Sequence, residues 1–261
     1  MKQKIALGLG ALATTLAVLP LFAAFEAHVI NVTARIENAL AVSTNAIDFG
    51  TVFPQEHLDK PLRVALSGSF LSEDRVDDVE YFIRQKPKCA VTAQNGTVML
   101  EFPTATGHMT VDESGNLIVD CGKDPRSLDE NDNPLPAGST WGVLPNLCPY
   151  ISKESEDQND GDTPSFHQPW KVVQNDDGSY SIEYLDTLGY LAKSAQDEVD
   201  NWLIDLAVPC FGGYCAQDWA DFVHGINPDA DPNDYDQDID NEHKVFGCDL
   251  WVEVAGVSER E

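Results

Sequence analysis

Apolar and polar side chains alternate with period two along much of this chain, and the alternation predicts strands with one buried face. From residue 30 to 42 the even positions are Ile30, Val32, Ala34, Ile36, Leu40 and Val42, interrupted by Asn38, while the odd positions are largely polar. Residues 47–53 read as a second strand, ended by Pro54, and 62–66 alternate again and run on to Phe70. Residues 79–85, 97–102 and 117–119 follow, with turn signals at Asn95-Gly96 and Ser114-Gly-Asn116. Residues 170–173 and 180–184 flank Asn175-Asp-Asp-Gly178 as a hairpin. Residues 201–209 place Trp202, Ile204, Leu206 and Val208 on one face, and 245–254 form a last strand.

Helical signals are few. Residues 187–200 have mild helical character, with 194–197 capping a last turn, and 216–224 suit one short helix. Residues 122–138, 154–164 and 227–241 are Asp-, Asn-, Pro- or Glu-rich and read as loops, and Pro145 and Pro149 make 142–152 an irregular or edge strand. Short strands separated by turns, without helices to serve as parallel crossovers, predict an all-β fold. The expected form is an antiparallel β-sandwich of jelly-roll type with one or two short helices.

The chain has 261 residues and 43% hydrophobic content, enough for a packed core. Its formal net charge of -28 repels nucleic acid and anionic membranes, so neither is an expected partner. Lys2 and Lys4 precede an uncharged run, 5–19, ending at Pro20, and Ala23 and Ala24 follow. This reads as a signal peptide, 1–24, cut after Ala24 by a signal peptidase during export. The rival is an uncleaved anchor, against which Pro20 and the shortness of the run both count. No second apolar run follows, so a secreted, extracellular or cell-surface protein, free of the membrane after cleavage, is expected.

Six cysteines in an exported chain point to three disulfides. Fifteen pairings are open. Cys210 and Cys215 flank Phe-Gly-Gly-Tyr, which can bend a short loop; Cys89 and Cys121 bracket a strand-turn-strand region; Cys148 and Cys248 then remain. That is one set among the fifteen.

The order of Lys-led signal, Ala-Ala-Phe-Glu, alternating strand and Ala46-Ile-Asp-Phe-Gly-Thr-Val-Phe-Pro54 resembles the TasA/camelysin family of secreted bacterial biofilm matrix proteins, exported through a SipW-type signal peptidase. The resemblance covers residues 1–54. LCPY around Cys148, LAKSAQDEVD around Lys193, VPCFGGYCAQDW and VFGCDLWVEV look like secreted members of that group. It implies a jelly-roll fold, and polymerisation by insertion of each N-terminal strand into the next subunit. The expected division is then a signal peptide (1–24), a donor-like strand (25–42) carrying Ile30, Val32, Ala34 and Ile36, and a jelly-roll domain (43–261). The chain's main partner would be itself, in a head-to-tail homopolymer. The camelysin branch also suggests a metalloprotease, but no His-Glu-x-x-His, Cys-x-x-Cys or Gly-x-Ser-x-Gly occurs, and no catalytic residue is assigned.

The remaining chemistry is acidic. Asp229, Asp231 and Asn233 have the one-three-five spacing of a calcium loop and Asp240 falls at position twelve, although Asp234 stands where an EF-hand needs Gly. Calcium is therefore the one cofactor the sequence offers, and a monomeric calcium-binding surface protein is a third reading. Residues 157–162 are a weaker candidate of the same kind. The six histidines read as surface residues, Ser67-Gly-Ser69 as part of a strand, and Trp202, Trp219 and Trp251 as core rather than a ligand groove. Asn31-Val-Thr33 and Asn95-Gly-Thr97 match a glycosylation acceptor pattern that is short and common.

Overall fold

Two long antiparallel ladders organise the fold in a computed structural model of the chain, which describes residues 35–123 and 135–259. In the first sheet, β2 (His57–Leu66) pairs along nine positions with β13 (Val199–Ala207), from Val199 opposite Ala65 to Ala207 opposite His57. β1 (Leu40–Val42) adds to the outer side of β2, and β9 (Glu154–Ser155) to that of β13. In the second sheet, β3 (Val76–Lys86) lies between β12 (Thr187–Ala192) and β14 (Asp249–Glu259). Smaller antiparallel sheets flank these. β4 (Lys88–Thr92) sits between β5 (Ala105–Thr106) and β8 (Thr140–Val143). β6 (His108–Val111) pairs β7 (Leu117–Asp120), and β10 (Trp170–Gln174) pairs β11 (Tyr180–Tyr184). The two helices described are α1 (Gly68–Leu71) and α2 (Trp219–Ile226). The fold is all-β.

The strands form where the pattern alternates most regularly. On β3, Val79, Tyr81 and Ile83 are fully buried, and on β13 Trp202, Ile204 and Leu206 are buried against them in one core with Leu62, Val64 and Leu66 of β2. A polar link crosses that core. Trp202 Nε1 donates to the Tyr81 hydroxyl at 2.7 Å, and the hydroxyl donates to Asp200 Oδ2. α2 closes one end with Trp219 and Val223, around Phe166, whose ring meets Trp219 edge-on at 5.5 Å and Tyr235 at 5.6 Å. Trp202 and Trp219 are thus core, as expected, and Trp251 is 43% exposed.

Several elements differ from the sequence reading. Residues 47–53 form no strand. Asp48 Oδ1 accepts from Gly50 N at 2.8 Å and Gly50 takes φ +71°, so the chain turns, although Ile47, Phe49 and Val52 still pack on the core. The 62–66 strand stops at Leu66 rather than running to Phe70. Ser67 caps α1, accepting from Phe70 N at 3.1 Å, so Ser67-Gly-Ser69 is a helix start and not a strand. Residues 97–102 contribute only a bridge from Thr92 to Val98, because Phe102 N donates to Met99 O and curls the chain away. The mild helix at 187–200 is β12, a turn with Gln196 at φ +61°, and the start of β13. Ladders to β3 and β2 outweigh the weak local helical preference. Most of the 122–138 loop, 124–134, lies outside the described residues.

Residues Glu37–Glu261 form one compact unit; of the unit Met1–Ile36 only Arg35 and Ile36 are described. Among the described residues no helix is long and apolar enough to cross a membrane. Three disulfides join Cys89 to Cys121, Cys148 to Cys248 and Cys210 to Cys215, with Cα separations of 5.8, 5.1 and 5.1 Å. Out of fifteen pairings, the fold adopts the one set named above.

One glycine is demanded by the core. Gly189 on β12 is the register partner of Tyr81, and a Cβ there would stand 2.2 Å from Tyr81 Cζ. Gly189→Ala therefore forces the ring out of its bonds to Trp202 and Asp200. The expected cost is ~1–3 kcal/mol in urea unfolding. A neutral result would mean that the ring does not need this gap.

Candidate functional site

A concavity lies in the seam between the two main sheets. It is a cleft of ≈ 360 Å³, lined by Val42, Leu62 and Ile204 of the first sheet and Leu250, Trp251 and Val252 of the second, with Ile47 and Phe49 from the turn after β1. Its two flanks are the sheet edges. β1 has β2 as its only strand partner, and β14 has only β3, among the described residues. The outer side of β14 is thus a row of backbone groups beside apolar side chains, the arrangement that accepts an added strand.

The rim is polar and internally paired. Lys88 Nζ meets Asp249 Oδ1 at 3.0 Å, Thr106 Oγ1 donates to Asp249 Oδ2 at 2.7 Å, and Trp251 Nε1 donates to Thr106 Oγ1 at 3.1 Å. Lys86 Nζ stands 3.7 Å from the Trp251 ring centroid and 2.8 Å from Glu253 Oε1. These contacts hold the indole of Trp251 at the mouth. The cleft therefore offers apolar contact and strand-edge hydrogen bonding.

The assembly residues fall unevenly. Ile30, Val32 and Ala34 lie outside the described residues, as do the signal peptide and Asn31-Val-Thr33. Ile36 is described and is 94% exposed. Leu40–Val42, the end of the expected donor strand, pairs with β2 of the same chain, so this part of 25–42 belongs to the domain's own sheet.

The expected calcium loop is not gathered into a site. Asp229, Asp231, Asn233 and Asp240 are all exposed. Asp231 Oδ1 instead accepts from Asn233 N at 3.0 Å and caps a short 3₁₀ turn, and Asp240 N donates to Asp238 Oδ1 at 2.9 Å in the next one. Among the described residues, the one group of three or more Asp, Glu, His or Cys side chains with ligand atoms close together is Asp157, Asp160 and Asp200.

The histidine expectation needs one correction. His167 is buried, with Nε2 2.6 Å from Gln85 Oε1 and Nδ1 2.8 Å from Pro164 O. Burial, then the nearby Lys153 ammonium, holds its imidazole down at about 3. Lys153 is itself fully buried and donates to the same Gln85 Oε1 at 2.9 Å, and burial pushes its ammonium down to about 7. Gln85 Nε2 donates onward to Cys148 O at 2.8 Å. Sequence reading missed this network and missed Asp200. Asp200 and Gln85 carried a signal, since the period-two face of Trp202, Ile204 and Leu206 extends back to Asp200 and that of Val79, Tyr81 and Ile83 extends on to Gln85.

No family model, curated protein or solved structure matches the chain.

Proposed function

We propose that this chain is a secreted structural subunit of an extracellular fibre or biofilm matrix, a TasA-like jelly roll that assembles by N-terminal donor strands. The observation that carries the reading is the cleft beside the edge of β14 that has no strand partner among the described residues. Its occupant is the N-terminal segment of a second copy, residues 25–37, which carries Ile30, Val32, Ala34 and Ile36 and stops short of the chain's own β1. The resemblance over residues 1–54 supports the same assignment, and three disulfides fit an oxidising compartment. Ile30, Val32 and Ile36 entering the cleft would gain roughly 1.5–3 kcal/mol each, before ordering costs. The contact is heterologous, so it propagates rather than closing as a dimer.

Deleting residues 25–37 leaves β1 on β2, and the variant is expected to be folded and monomeric. Ile30→Asp with Val32→Asp is expected to block fibre growth in electron microscopy. The deletion variant keeps its cleft but has no strand to donate, so a small fraction of it mixed into the mature chain should cap fibres and shorten them. A deletion variant that unfolds, or one that still polymerises, overturns the mechanism.

A further inference from the structure

The loop after β9 faces a buried carboxylate that is only half satisfied. Asp200, on β13, is 0% exposed. Its Oδ2 accepts the Tyr81 hydroxyl, and its Oδ1 has no hydrogen-bond partner among the described residues. An unpaired buried carboxylate oxygen is costly unless a cation meets it. The charges acting on Asp200 are all negative. Burial first, and then the Asp160, Asp197 and Asp157 carboxylates, hold its carboxyl up at about 7 against the opposing Tyr81 hydrogen bond.

One carboxylate oxygen from each of Asp157, Asp160 and Asp200 lies within 4.8 Å of the others. Neutral donors hold Asp160 in place: Tyr190 N reaches Oδ1 at 2.8 Å and Ser155 Oγ reaches Oδ2 at 2.6 Å. Asn159 Nδ2 ties the same loop to Asp197 Oδ2 at 2.9 Å and to Tyr190 O at 3.2 Å. Three carboxylates thus converge, one of them buried with a lone pair unused.

We propose that Asp157, Asp160 and Asp200 form a binding site for a hard divalent cation, Ca²⁺ in preference to Mg²⁺. Carboxylate oxygens without His or Cys suit such an ion. Ca²⁺ accepts a mixed and irregular shell of carboxylates and water, whereas Mg²⁺ demands near-ideal octahedral geometry and dehydrates reluctantly. Water completes the shell, and few protein ligands place the affinity near ~10⁻⁴–10⁻³ M, the range of extracellular modules. The ion fastens the 156–162 loop to β13. There it reinforces β9, which pairs with β13 only at Trp202 and Leu203.

The test uses the mature chain, with CaCl₂ in isothermal titration calorimetry and Tb³⁺ as a luminescent probe. Tyr81 and Trp202 sit directly behind Asp200 and will sensitise a bound lanthanide. The expected result is saturable Tb³⁺ emission that Ca²⁺ displaces and equal Mg²⁺ does not. Asp157→Asn with Asp160→Asn, on a half-buried loop, should abolish both signals while leaving the protein folded in chelator. Asp200→Asn should also abolish binding, yet raise the melting temperature in chelator by removing the unpaired charge. Asp229→Ala with Asp231→Ala should leave binding intact. No calcium heat and no sensitised emission would overturn the site, as would binding that survives Asp157→Asn with Asp160→Asn.

Discussion

Replacing Cys148 and Cys248 together by alanine is expected to lower stability by about 5 kcal/mol in urea unfolding. This bridge closes a loop of sequence separation 100, against 32 for Cys89–Cys121 and 5 for Cys210–Cys215. Loop-closure entropy ranks the three at about 4.7, 3.7 and 2 kcal/mol. Cys148 is fully buried, so alanine avoids burying a new polar group, and its backbone carbonyl also accepts from Gln85. Cys248 lines the seam between the sheets, so the loss also loosens the cleft. For a domain of this size the change corresponds to a melting temperature lower by on the order of 10–20 °C. If Cys210→Ala with Cys215→Ala costs more, chain entropy is not what these bridges contribute.

Lys153→Met is expected to stabilise the protein at pH 7 by on the order of 4 kcal/mol. The ammonium titrates at 10.5 in an unperturbed chain and at about 7 when buried here. Between those values the unfolded chain binds more protons than the folded one, so the stability of the parent protein rises with pH from about 7 toward 10.5. Below pH 7 the cost of burying the charge is fully present. Methionine removes the charge and fills most of the volume, and Gln85 Oε1 keeps His167. The variant should therefore lose the rise measured between pH 7 and 9.5. Above pH 10 the signal reverses, because Tyr150 and Tyr190 are held up to about 12 and the unfolded chain ionises first. Lys153→Arg, which stays charged, should be less stable than the parent at every pH in this window. A parent protein with a flat profile between pH 7 and 9.5 would show that Lys153 carries no such cost.

How much of the fold was legible depended on how local the cause was. The hairpin at 170–184 could be read because two alternating runs flank an Asp-Asp-Gly turn, and Gly178 takes φ +85° there. Residues 47–53 alternate just as well, yet Asp48 and Gly50 turn the chain and no partner strand is in register to compete. Residues 187–192 looked mildly helical and became β12, because the ladder to β3 and the fit of Gly189 against Tyr81 outweigh propensity. Asp229 and Asp231 matched a ligand spacing, but spacing along a chain does not bring oxygens together, and the Asn233 N–H took Asp231 as a cap.

By itself the sequence determined an all-β chain, the buried faces of β3 and β13, the main hairpin turns and a strongly acidic surface. The acidic surface follows from the count of charged residues, and the rest from neighbours two to five residues apart, where pleat and turn chemistry act directly. Tertiary structure alone decided which cysteines meet, that β1 and β14 flank one cleft, and that Lys153 and His167 share Gln85. It also decided that Asp200 looks onto Asp157 and Asp160. Apart from the two shorter disulfides, at separations of 5 and 32, those partners are 40 or more residues apart in the chain, and period-two alternation says which side of a strand is buried but not what lies across from it.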